Sequence, residues 1–327
     1  MSARILGTIC LLITVLLITV LVAAQQPAKI PRVGFLSPSA ISGEFRRFEA
    51  FKRGMEELGY VEGQNILIEH RSASGKAASL PKLVAELIAL KVDVLVIVSA
   101  QAAQAAKKAT TTIPVVVTSG DLVGAGLVDS LARPGGNVTG LANLSYDLAA
   151  KRLELLKEVV PRASRIAVIW SKDSLNAARW IKEMEAAAAL MKIDLKSMEI
   201  KGPIDFESVI STIKKQRQDG FIPLRDPHIV RQLKLIVGLA AKNRLPAIYD
   251  DRAFVEAGGL MSYGTDLAHL DRRLAVYVDK ILKGSKPADL PVEQPMKFEL
   301  LFNLQAAKQI GLTIPPNVLV RADKVIR

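Results

Sequence analysis

Between residues 92 and 98 the chain reads Val-Asp-Val-Leu-Val-Ile-Val, and similar apolar runs recur at 31–36, 113–118, 165–170, 220–224 and 245–249. Short, largely β-branched runs without polar alternation are strands buried on both faces, as in a parallel sheet. Helical patterns separate them. Residues 44–58 place Phe45, Phe48, Phe51, Met55 and Leu58 at three- and four-residue spacing, and Gly59 ends that helix. Residues 80–90 carry Leu83, Val84, Leu87 and Ile88 on one face. Further helices are expected at 100–109, 127–132, 148–159, 174–190, 206–217, 227–241, 267–282 and 304–310. Further strands are expected at 65–69, 138–141, 193–199, 259–263 and 297–302. Such alternation calls for βαβ units, whose crossovers cover a parallel sheet with helices. It runs once up to residue 159 and again from residue 165. Two series predict an α/β fold of two doubly wound parallel-sheet lobes. The 327 residues agree with that count, at about 150 per domain.

Composition removes several classes of function. Half of the residues are hydrophobic and 23% are charged, which excludes a disordered chain. Cys10 is the single cysteine, so no disulfide framework or cysteine metal site exists. His70, His228 and His269 stand far apart, so a helical HExxH metal site is absent. The formal charge is +12, but basic residues form only pairs such as Lys107-Lys108 and Lys214-Lys215. That distribution reads as a solvated basic surface, with no nucleic acid partner.

Residues 1–24 read as a secretory signal peptide. Arg4 precedes an uncharged apolar run over 5–22, and Val22-Ala23-Ala24 supplies small residues for cleavage before Gln25-Gln26-Pro27. The run also approaches the ~20 residues that span a bilayer, so an uncleaved anchor is the alternative. A chain without cysteine after residue 24 suits an oxidising compartment.

Open parallel sheets bind ligands outside the carboxyl ends of their strands. In the first series those ends carry Ser37-Pro38-Ser39, Ser99-Ala100-Gln101 and Ser119-Gly120-Asp121. In the second they carry Ser171-Lys172-Asp173, Arg225-Asp226-Pro227 and Asp250-Asp251-Arg252. The helix starting at Ala100 offers N–H groups and a dipole end to an anion, and Asp121 offers a charge to an ammonium. Each also has a plain structural role: Ser99 as an N-cap, Asp121 as a turn residue. Nucleotide motifs fail, because Gly124-Ala125-Gly126 is followed by Asp129 where a third glycine is needed. No GxxxxGK[ST] or GxSxG occurs, and Asp250-Asp251 has no nucleophile to serve. Without an assembled acid, base and nucleophile, the chain reads as a binder that uses no cofactor, not an enzyme.

Several stretches carry a resemblance: 32–38 (RVGFLSP), 57–68 (ELGYVEGQNILI), 127–141 (LVDSLARPGGNVTGL), 151–156 (KRLELL), 254–264 (FVEAGGLMSYG), 277–284 (YVDKILKG) and 291–315. Together they resemble the bacterial ABC-transporter substrate-binding proteins of the tryptophan or aromatic amino-acid type. The resemblance implies a type I periplasmic-binding-protein fold, two lobes joined by a multi-strand hinge. It implies a monomer that hands a small organic ligand, amino acid-like or an organic acid, from the periplasm to an ABC permease. A sensory module on the same fold is the alternative. By likeness, lobe one spans 30–142 plus 258–294, and lobe two spans 143–257 plus 295–327. Crossings fall near Asn143, at 257–260 and at 295–298. The cleft residues are Ser37, Ser99, Gln101, Ser119, Asp121, Asn143 and Asp250, with Tyr146 or Tyr249 beneath an apolar ligand body. Two departures stand out. Leu122 replaces the usual proline after Asp121. Arg225 replaces a smaller residue, with two readings: a bidentate grip on a carboxylate, or a side chain facing solvent.

Overall fold

The computed structural model describes residues 29–38, 42–74, 76–145, 147–171, 174, 177–200 and 205–327. The expected signal peptide lies outside the described residues. Among those described, no helix is long and apolar enough to cross a membrane.

The first sheet has five parallel strands in the order β2-β1-β3-β4-β5. They are β1 (Arg32–Ser37), β2 (Leu67–Ser72), β3 (Val94–Ile97), β4 (Val115–Ser119) and β5 (Val138–Ala142). The run at 92–98 shows why it contains so little polarity. Leu95 and Ile97 face α2 (Leu80–Ala89) and α3 (Ala100–Ala109), while Val94, Val96 and Val98 face α1 (Ser42–Glu57) and α10 (Leu267–Leu282). Both faces of the strand are core, so alternation disappears. Helices α1 and α10 touch closely. A Cβ on Gly54 would lie 2.4 Å from the Arg272 carbonyl oxygen.

The second sheet begins with β7-β6-β8: β6 (Arg165–Ser171), β7 (Asp194–Ile200) and β8 (Gly220–Pro223). A bridge between Phe221 and Ala247 continues it to β9 (Ile248–Tyr249). Beyond lie β10 (Met261–Thr265), β11 (Phe298–Asn303) and β12 (Lys324–Ile326). Helices α4 (Ala149–Val159), α5 (Ala177–Leu190), α6 (Asp205–Lys215), α7 (Pro227–Arg231), α8 (Leu233–Lys242), α9 (Arg252–Glu256), α11 (Leu304–Ile310) and α12 (Pro316–Leu319) belong to this lobe. The sheet is covered on both faces, by cores built around Leu153, Leu156 and Phe302 and around Phe206, Ile210 and Ile236.

Four expectations change. The likeness places 259–263, within 258–294, in lobe one, yet β10 pairs with β9 and β11 in the second sheet. The chain therefore returns to the first lobe at Thr265–Asp266, not at 257–260. The β10–β11 pair is antiparallel, against the expected parallel sheet. The reason is topological. Residues 292–293 run beside β5, with Leu141 bridged in parallel to Glu293, and then leave for the second lobe. A strand entering from that edge runs opposite to one that exits by it. Residues 127–132 form a turn instead of a helix. Ser130 N–H donates to the Arg133 carbonyl and Asp129 N–H to the Pro134 carbonyl. Six residues ahead of Arg-Pro-Gly-Gly are too few to repay helix nucleation. Finally, the helix expected over 227–241 is interrupted at Gln232. The break separates Val230, on the cavity described next, from Leu233, Ile236 and Val237 in the core.

Candidate functional site

A cavity with an empty volume of about 730 Å³, partly open to solvent, lies at the carboxyl ends of strands from both sheets. From the first lobe come Val98, Ser99, Ala100 and Gln101 after β3, and Thr118 through Asp121 at the end of β4. From the second come Trp180 on α5, Arg225 and Asp226 after β8, and Val230 on α7. Asn143 and Ser145 belong to the first crossing between the lobes.

Five of the seven residues singled out from sequence meet here: Ser99, Gln101, Ser119, Asp121 and Asn143. Ser99 is the N-cap of α3, its hydroxyl accepting Ala102 N–H at 3.4 Å. Asp121 Oδ1 accepts Gly124 N–H at 2.7 Å. Asn143 Oδ1 accepts Ser145 N–H at 3.0 Å, and its carbonyl accepts the Thr265 hydroxyl at 2.7 Å, so the first and second crossings are tied together.

Ser37 and Asp250 do not line the cavity. Ser37 is buried at the end of β1, its Oγ 3.2 Å from His70 Nε2. Phe48 stacks on that imidazole at 4.4 Å. Burial, then Arg71, lowers the pKa of His70. Asp250 stands behind Arg225, accepting the Ser145 hydroxyl at 2.8 Å. Tyr249 is fully buried and stacked on Phe254 at 4.6 Å, so it is core and not a ligand platform. Tyr146 lies outside the described residues.

The main residues the sequence reading missed are Arg47 and Trp180; Asp226 stands in a strand-end loop the sequence points to but is not among its seven cleft residues. Arg47 of α1 points inward and makes two hydrogen bonds to Asp271 of α10, Nε to Oδ2 at 2.6 Å and Nη2 to Oδ1 at 2.8 Å. Asp271 is completely buried. Burial pushes its carboxyl upward, and Arg47 opposes that. Asp226 caps α7 through His228 N–H and accepts the Ser174 hydroxyl. Arg225 neither faces solvent nor lacks a partner: Nη1 is 3.0 Å from Asp251 and 3.4 Å from Asp250. Burial pushes the Asp251 carboxyl up, but Arg225, the Ala253 N–H and Arg47 outweigh it and hold it below the usual range. Arg47 acts on Asp251, and Arg225 on Asp271, so the charge pairs of the two lobes sense each other across the cavity. Among the described residues, no three His, Cys, Asp or Glu side chains could hold a metal ion.

The family described as ABC transporter substrate binding protein matches residues 41–326. The chain belongs to that family. Its members bind solutes and do not turn them over. The substrate-binding protein described here is 28% identical over 266 residues to the tyrosine-binding protein of Clostridioides difficile, covering 81% of this chain and 76% of that one. Its fold matches the crystal structure of a conserved domain protein from Vibrio cholerae at 30% identity and TM-score 0.86, covering 91% of this chain and 100% of the other. It also matches an ABC domain in complex with L-Trp from Streptococcus pneumonia at 27% identity and TM-score 0.83, covering 90% and 99%. Both are consistent with the two-lobed periplasmic-binding-protein fold.

Proposed function

We propose that this protein is the periplasmic solute-binding component of an ABC importer, and that it captures an aromatic amino acid between its lobes. The observation that carries the proposal is the cavity, which takes walls from both lobes and mixes an indole, two arginines and two aspartates. A zwitterion with an apolar body fits that mixture. Its carboxylate lies at the start of α3, where the helix dipole is positive. Its ammonium meets Asp121 or Asp226. Its ring packs on Trp180, with Val98, Ala125 and Val230 around it. The tyrosine- and L-Trp-binding relatives support an aromatic ligand.

The three crossings, near Asn143, at Thr265–Asp266 and after Glu293, act as the hinge. Arg46 of α1 reaches Glu256 of α9 at 2.5 Å and joins the lobes in this conformation. Ligand that binds both walls favours an arrangement with the lobes held together and shifts the population toward it. Calorimetry against aromatic and aliphatic amino acids tests the proposal, with low-micromolar or tighter binding expected for an aromatic member. Undiminished binding by a variant carrying Trp180→Ala, Asp121→Ala and Asp226→Ala would remove the ligand from this cavity.

A further inference from the structure

Arg225 stands on the cavity wall with two carboxylates already against it. Each carboxylate is pinned by another part of the chain. Asp250 Oδ2 also accepts the Ser145 hydroxyl, and Asp251 Oδ1 accepts Ala253 N–H at 2.8 Å. The side chains of Arg225 and Asp250 are 14% and 4% exposed, so water screens this cluster little. On the opposite wall Arg47 is held by buried Asp271. Arg152, also buried, lies behind Ser145 and donates to its carbonyl. A ligand carboxylate in the cavity, seated at the start of α3, therefore gains little from Arg225 on the facing wall, a cation already shared between two anions that repel the carboxylate.

We infer that Asp250 and Asp251 set the charge selectivity of the cavity: by cancelling Arg225 they reject a ligand that carries only a carboxylate and admit one that also carries an amine. This rests on the aromatic-ligand reading above and specifies its substrate class. Asp250 is then a positioning residue, acting on the ligand through Arg225. Because Ser145 belongs to the first crossing, the same carboxylate links the hinge to the cavity wall.

Calorimetry with L-tryptophan, indole-3-propionate and tryptamine separates the charges on one ring system. The wild-type protein should prefer L-tryptophan over indole-3-propionate by roughly thirtyfold or more, and should bind tryptamine more tightly than the acid. Asp250→Asn keeps the shape and an oxygen for Ser145 and Arg225, whereas Asp251→Asn keeps the Ala253 contact and gives up the acceptor facing Arg225; each should shrink that preference roughly tenfold. Adding Arg225→Gln to Asp250→Asn should restore it, because no unmasked cation remains. Thermal melts identify folded variants. A merely structural role would weaken all three probes alike and leave the ratio in place, which overturns the inference. Equal wild-type binding of L-tryptophan and indole-3-propionate overturns it too. If no aromatic probe binds, the aromatic reading falls, and leucine, isocaproate and isoamylamine decide the charge inference by the same ratio. If neither trio binds, both readings fall.

Discussion

Replacing Asp271 by asparagine removes one charge from a pair that water does not reach. Asp271 is fully buried, and the Arg47 side chain is 7% exposed. The variant keeps the side-chain volume, so no cavity opens. What it loses is the compensation of a buried guanidinium. With an effective dielectric near 20, unit charges about 4 Å apart attract by about 4 kcal/mol. Removing one partner of a buried pair typically costs about 3–5 kcal/mol. The two estimates agree, and at about 2–4 °C per kcal/mol they predict a melting temperature lower by roughly 10 °C. Urea unfolding and calorimetry at neutral pH measure it. The companion variant, Arg47→Met with Asp271→Leu, removes both charges and should recover most of the loss. A cost below about 1 kcal/mol for Asp271→Asn would refute the reasoning, since Arg47 would then have another way to satisfy its charge.

Two more outcomes follow from the geometry. Asp251 has a folded-state pKa below its unfolded value. Its contribution is therefore complete above about pH 4 and is lost as the pH falls through the depressed folded value. Urea titrations should show wild type exceeding Asp251→Asn at neutral pH, with the gap closing in strong acid; a gap that widens on acidification contradicts this assignment. Gly54→Ala places a methyl group 2.4 Å from the Arg272 carbonyl, so α1 and α10 must separate. We expect a loss of about 1–3 kcal/mol by denaturant unfolding, despite alanine's better helix propensity.

The architecture was legible because burial on both faces leaves an unmistakable run such as 92–98, and because α3, α10 and α11 are bounded as their patterns predict. The cavity was partly legible for the same reason: carboxyl ends of parallel strands face one side, so Ser99, Ser119 and Asp121 had to lie near one another. Ser37 escaped that logic, since its strand end is buried beside His70. Asp250 was placed at the right edge but one layer too far forward. Pairings across hundreds of residues leave a fainter mark. Arg47 stands one helical turn before Phe51, and Asp271 one turn before Leu274, each a charge on an apolar stripe. That interruption was the available signal, and only the packing of α1 on α10 shows that the two interruptions answer each other. Trp180 gave no signal, because an aromatic near a helix start reads as core from sequence alone.

The first lobe is assembled from two stretches of chain separated by more than a hundred residues, with α10 supplying both a core face and the carboxylate for Arg47. A polypeptide emerging from the ribosome cannot finish its leading half until its closing third has been made. Until then α1 lacks its partner helix, and Arg47 lacks the Asp271 carboxylate. Such a delay keeps the leading half of the nascent chain loose until α10 arrives to lock its shape.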